Sequence, residues 1–283
     1  MTEQTDYYES TDGLKLFYRD YGSQQDGTPV ICLPGLTRNS RDFEDLAAHV
    51  SRSRRVLCPD YRGRGFSDHD QNWRNYHPLT YVDDVLTLLD KLEIDRVIVV
   101  GTSLGGLCAM VMAAKHPERL AGVVMNDIGP EINPAGVERV QSYTGKQPVV
   151  RNWDEAIDQA RQTYGEWLPG LSDDFWARFV RRSYREDKDG VPQLDMDVNI
   201  GTAVREVGPQ KGDPWQLFDA LAGIPVTVLH GVMSDILTSD ITDKMRARLP
   251  RLKVVQVPNR GHAPLLDEPE CVAAIDDLLE KVA

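Results

Sequence analysis

Residues 97 to 106 read Val-Ile-Val-Val-Gly-Thr-Ser-Leu-Gly-Gly. Four consecutive β-branched aliphatic residues suit a strand covered on both faces, and this one runs directly into G-x-S-x-G. Leu104 to His116 then carries a helical pattern that Pro117 ends. A strand that becomes a helix within one residue strains the backbone of that residue, here Ser103. Gly101 and Gly105 have no Cβ atoms to block the approach of strand and helix. The arrangement predicts a nucleophile elbow, with Ser103 Oγ exposed above the sheet and the Leu104 amide at a helix N-terminus, ready to hold an oxyanion.

The flanking chain supplies a sheet for that elbow. Residues 14 to 21 alternate in polarity after Thr11-Asp12-Gly13, which predicts the second arm of an antiparallel hairpin. Short apolar runs follow at 29–33, 55–59 and 120–125, with helical patterns at 40–50 and 79–92. This alternation from 29 to 130 predicts an α/β fold with a mostly parallel sheet and right-handed crossovers. It resumes with the strand 224–231, a helix at 239–249, the strand 252–257 and a last helix at 268–282.

Between 130 and 212 the pattern breaks. Three of the five tryptophans (Trp153, Trp167, Trp176) fall here, among many charges and with no clear parallel strand. The expected organisation is a core formed by 1–129 and 213–283, with 130–212 inserted as a helical cap. Trp176, Phe179 and Val180 are expected to pack against the main domain, with some of the cap's aromatic residues at the pocket mouth.

Composition narrows the partners. A chain of 283 residues with net charge −12 and a pI near 5.0 lacks the basic surface that nucleic acid or an anionic membrane requires. The N-terminal residues have no basic and apolar leader, and no apolar run is long enough to span a bilayer, so the expected location is cytoplasmic and the expected partner a small-molecule substrate. Cys32, Cys58, Cys108 and Cys271 show no C-x-x-C spacing and read as buried thiols. The six histidines form no H-E-x-x-H pair, so no metal site is expected.

A serine hydroxyl needs a base, and the base an orienting acid. His262, in Asn259-Arg260-Gly261-His262, follows the last expected strand and lies at the sheet edge where open α/β sheets gather their sites. His230 ends a strand and reads as packed, while His49, His69, His77 and His116 read as surface or capping residues. Asp235, in the loop leaving the strand 224–231, is the preferred acid, giving the order Ser103, Asp235, His262. Asp127, at the carboxyl end of the strand 120–125, is its rival. A second oxyanion amide is expected from Leu36, after Gly35. The arginines of the loop 60–68 read as structural ion pairs.

These residues resemble the α/β-hydrolase superfamily. The resemblance is carried by Leu33-Pro34-Gly35-Leu36, Asp60-Tyr61-Arg62-Gly63-Arg64-Gly65-Phe66-Ser67, Gly101 to Gly106, Ser234-Asp235 and Gly261-His262, and covers nearly the whole chain. It implies an eight-stranded, mostly parallel sheet with helices on both faces, a cap after the sixth strand, no cofactor, and a covalent acyl-serine intermediate. Pro34-Gly35 departs from the His-Gly of many relatives. The expected activity is hydrolysis of a carboxylic ester or lactone; a carbon–carbon bond hydrolase of ring-cleavage diketones and a ligand receptor on the same fold are the alternatives.

Overall fold

The computed structural model describes residues 3–206 and 213–282; the end of the expected cap, 207–212, and the extreme termini lie outside the described residues. Eight strands form one sheet: β1 (Glu3–Glu9), β2 (Lys15–Tyr21), β3 (Val30–Leu33), β4 (Val56–Pro59), β5 (Val97–Thr102), β6 (Leu120–Asn126), β9 (Val226–Gly231) and β10 (Lys253–Val257). Their spatial order is β1-β2-β4-β3-β5-β6-β9-β10. The β1–β2 and β2–β4 pairs are antiparallel and the other pairs are parallel, as the apolar runs predict.

Helices cover both faces because the central strands are apolar on both. β3, β4, β5, β6 and β9 are almost wholly buried. On one face, α2 (Pro78–Lys91) and α3 (Leu104–Lys115) bury Val82, Val85, Leu89 and Met112 against the sheet, beside Phe218 of α8 (Pro214–Asp219) and Ile241 of α9 (Ser239–Arg248). On the other, α1 (Glu44–Val50) and α10 (Pro269–Lys281) bury Leu46, Val50, Ile275 and Leu278. The helix expected at 40–50 opens as a 3-10 turn, Ser40–Phe43, since the Asn39 side chain caps the Arg41 amide.

Between β6 and β9 lie α4 (Pro134–Tyr143), α5 (Trp153–Tyr164), α6 (Asp173–Ser183) and α7 (Asn199–Glu206). Trp176 and Val180 pack with Ala156, Ala160 and Leu168 in a small core within this segment, with Leu265 of the loop after β10 packed against it. The sequence reading also missed a hairpin, β7 (Tyr184–Glu186) with β8 (Pro192–Leu194). Its turn is closed by Asp187 Oδ1, which accepts from the Asp189 and Val191 amides, and by Gly190 at φ 78°.

All four cysteines are buried and unpaired. Arg62, itself buried, pairs with Asp12, Asp70 and Asp84, so this arginine of the 60–68 loop is structural. Among the described residues no helix is long and apolar enough to cross a membrane.

Packing is also close where α3 meets the sheet. A Cβ on Gly105 would lie 2.1 Å from the Leu33 carbonyl oxygen. Gly105→Ala is therefore expected to destabilise by about 2–4 kcal/mol, lowering the thermal midpoint by roughly 5–15 °C in a denaturation scan. Gly223→Ala, where a Cβ meets nothing within 4 Å, is expected to move it by less than about 2 °C.

Candidate functional site

Ser103 sits between β5 and α3 with φ 52° and ψ −111°. A non-glycine residue in that region carries strain of order 1–3 kcal/mol, tolerated where surrounding packing dictates it. The Ser103 amide donates to the Asn126 carbonyl at 3.0 Å, anchoring the turn to β6, while its hydroxyl projects to 2.9 Å from His262 Nε2.

His262 arrives on the loop after β10. That loop is held from three sides. Glu268 takes Arg260 Nε at 2.7 Å and the Leu265 amide, Asn126 Nδ2 donates to the Pro264 carbonyl, and the Gly261 amide donates to the Trp167 carbonyl at 2.7 Å. The far imidazole nitrogen, Nδ1, lies 2.8 Å from Asp127 Oδ2. An ionised carboxylate only accepts, so the proton belongs on Nδ1 and the Nε2 lone pair faces the Ser103 hydroxyl.

The expected acid is thus corrected: the carboxylate at His262 belongs to Asp127, not Asp235. Asp127 is completely buried, and Oδ1 accepts from the Gly231 amide at 2.8 Å while Oδ2 also accepts from Ser234 Oγ at 2.5 Å. Asp235 turns away to Arg139 of α4, forming two bonds of 2.5 and 2.7 Å. The physical reason is reach. β6 and β9 are sheet neighbours, so both candidates start from one edge, but Asp127 follows Asn126 directly whereas Asp235 lies four residues beyond Gly231. The intervening loop delivers Ser234 to the site and leaves Asp235 facing α4. In the sequence Ser234 stands only as part of the Ser234-Asp235 pair, with no role of its own, because a serine beside an aspartate looks like an ordinary turn.

Leu36 and Leu104 sit on either side of Ser103. Leu104 is the first residue of α3, so its amide has no intrahelical acceptor. Gly35 brings the other loop against the elbow, since a Cβ there would stand 3.9 Å from Ser103 Cβ. Among the described residues the Leu36 amide meets no protein acceptor. The Leu36 carbonyl is fixed instead by Arg64, whose Nε and Nη2 donate to it at 3.0 and 2.9 Å.

Arg64 departs from the ion-pair reading of its loop. It is fully buried, and among the described residues no carboxylate lies within 4 Å of its guanidinium. Its remaining partners are the Arg62 carbonyl, the Tyr81 hydroxyl and the Tyr81 ring, 4.9 Å from Cζ. The other expected non-catalytic histidines fall as read: His230 is buried on β9, His77 caps α2 and His49 pairs with Asp276.

Ser103 and His262 open into a cavity of about 120 Å3. Gly35 and Leu36 form one side, and Val140, Tyr143, Tyr164 and Phe179 of the 130–206 segment form the other. Burial raises the phenols of both Tyr143 and Tyr164 above the usual tyrosine range. Among the described residues no group of three or more His, Cys, Asp or Glu is placed to hold a metal ion.

Comparison with known proteins matches this geometry. The sequence model described as the alpha/beta hydrolase fold matches residues 28–269. A crystal structure of an alpha/beta hydrolase from Novosphingobium aromaticivorans superposes with a TM-score of 0.94 at 42% identity, covering 99% of each chain. A 3-hydroxybutyrate-oligomer hydrolase of Cupriavidus necator is 30% identical over 268 residues, 92% of this chain and 90% of that protein. A 2-(acetamidomethylene)succinate hydrolase of Mesorhizobium japonicum is 25% identical, over 88% and 85% of the two chains. The strained serine, its histidine and the sheet that presents them therefore belong to a hydrolase: the chain is a member of the alpha/beta hydrolase fold family.

Proposed function

We propose that this hydrolase cleaves a carboxylic ester through an acyl-serine intermediate, with Ser103 as nucleophile, His262 as base and Asp127 as the orienting acid. The single observation that carries the reading is the continuous chain from Ser103 Oγ to His262 Nε2 at 2.9 Å and from His262 Nδ1 to Asp127 at 2.8 Å. In the first step Ser103 Oγ bonds to the ester carbonyl carbon as its proton passes to His262 Nε2. The carbonyl oxygen becomes an oxyanion held by the Leu36 and Leu104 amides. Collapse breaks the bond to the alkoxy oxygen, which takes the proton from His262 and leaves as the alcohol. Water then repeats the sequence on the acyl-serine, giving its proton to His262 and releasing the acid and Ser103.

Residues 130–212 serve in this reading as a cap that shapes the pocket, supported by the Tyr143, Tyr164 and Phe179 side chains facing the serine. The hydrolysis of 3-hydroxybutyrate oligomers named for the Cupriavidus necator relative agrees with an ester substrate.

A fluorophosphonate probe is expected to label Ser103 alone, and Ser103→Ala to lose both labelling and about 10⁴-fold or more of ester turnover, read with short p-nitrophenyl esters. Undiminished turnover would sink the assignment. The two carboxylates separate cleanly: Asp127→Asn is expected to lower kcat by roughly 10³–10⁴-fold by stabilising the wrong imidazole tautomer, whereas Asp235→Asn stays within about tenfold of the native enzyme. Equal losses, measured at matched thermal stability, would return the acid's role to Asp235.

A further inference from the structure

A second and larger chamber, about 280 Å3, adjoins the catalytic cavity. Thr37, Arg38, Tyr143, Tyr164 and Phe179 line both spaces, so these side chains are the partition and the passage between them. The chamber is thus a volume next to the catalytic cavity into which one end of a substrate whose ester lies at Ser103 can extend.

The chamber's charge runs against that of the protein. The chain has 44 acidic and 32 basic residues, yet the charged side chains facing the chamber are Arg38 and Lys146, with no carboxylate among its lining. The catalytic cavity differs, being lined by Asp42, Asp45 and Asp267 as well as by arginines. The division is sharp at Arg38. Its Nε and Nη2 bind Asp42 on the catalytic side, while Nη1 donates to the Ser183 hydroxyl, a neutral acceptor that lines the chamber. At the rim, the Lys146 ammonium has no ion-pair partner among the described residues. The remaining polar groups reinforce the preference. Burial pushes the Tyr184 hydroxyl up to about 12, and its proton is committed to Gln159 Oε1 at 3.0 Å, so that it adds no negative charge to the chamber.

A half-open space lined by two cationic side chains and no acidic group is a place where an anion gains charge-assisted hydrogen bonds. The aromatic ring of Phe179 and the aliphatic Leu194 and Val180 supply apolar wall for the chain leading to it. We propose that this chamber binds a carboxylate at the far end of the substrate, so that the preferred substrates are esters carrying a free carboxylate on the acyl or the alcohol part. The proposal rests on Ser103 being the ester-cleaving nucleophile, and it names the substrate class of that site.

The test compares kcat/KM for chain-matched pairs. For the acyl side these are mono-p-nitrophenyl esters of dicarboxylic acids, from succinic to suberic, against fatty acyl esters of equal length. For the alcohol side they are O-acetyl hydroxy acids against the corresponding alkyl acetates. At least one arm is expected to favour the carboxylate by about tenfold, chiefly through KM, with the advantage shrinking as salt is added. Lys146→Glu is expected to cut the ratio of carboxylate-bearing to neutral ester to about unity or below, and Lys146→Gln to an intermediate value, with folding checked by the thermal midpoint. Neutral esters favoured in both arms, or a ratio indifferent to Lys146→Glu, overturns the chamber assignment while leaving the esterase reading intact. No turnover in either arm, with Ser103 refusing the fluorophosphonate, overturns the esterase reading and this proposal with it.

Discussion

The site depends on three glycines, two that let backbone touch backbone and one that makes room for a side chain. A Cβ on Gly101 would lie 2.4 Å from the Gly105 carbonyl carbon, and one on Gly106 would lie 2.3 Å from Ile128 Cγ2. Together with Gly105 against Leu33, these contacts seat the first turn of α3 directly on β5, β3 and the chain leaving β6. No room remains for a gradual turn, so the one residue between strand and helix takes φ 52° and throws its side chain outward. The strain of that residue is small beside the burial that imposes it: β5 and nearly all of α3 are buried.

The same edge solves an electrostatic problem. A carboxylate with no solvent exposure is costly unless its oxygens are well supplied with donors. Asp127 receives the Gly231 amide, the Ser234 hydroxyl and His262 Nδ1, and its own φ of 57° folds the chain so that all three can reach it. Asp235 has a different answer, a two-bond pair with Arg139 that ties the loop after β9 to α4. Two aspartates from neighbouring strand ends thus do different physical work: one orients an imidazole, the other fastens the wall of the pocket.

This division marks where the sequence stopped being readable. Strand runs such as Val97 to Val100 and helical stripes such as Val82, Val85 and Leu89 follow from burial on one or two faces, a local property of the chain, and so the sheet, its helices and the positions of Ser103 and His262 were legible. The choice between Asp127 and Asp235 was not, because it depends on how many loop residues separate a side chain from its rigid strand and on an arginine from another helix. Chain order favours Asp235, while the shorter tether of Asp127 to its strand is the local signal for the other choice. The segment after β6 was readable as helical, but its small core around Trp176 and the Asp187–Gly190 turn arise from contacts that no periodicity encodes.

Arg64 joins the parts into one device. A buried guanidinium without a counter-charge must be held by dipoles and ring faces, and this one commits two of its N–H groups to the Leu36 carbonyl beside the expected oxyanion amide. Its backbone meanwhile pairs with Met196, flanked by the Gly65 amide on the Asp195 carbonyl and the Asp197 amide on the Gly63 carbonyl. One residue therefore touches the oxyanion loop through its side chain and the pocket-covering segment through its main chain. Arg64 thus ties the segment at 195–197 and the Leu36 peptide to one side chain and its backbone. The chemistry of the serine and the shape of the chamber above it are in this way parts of a single packed arrangement.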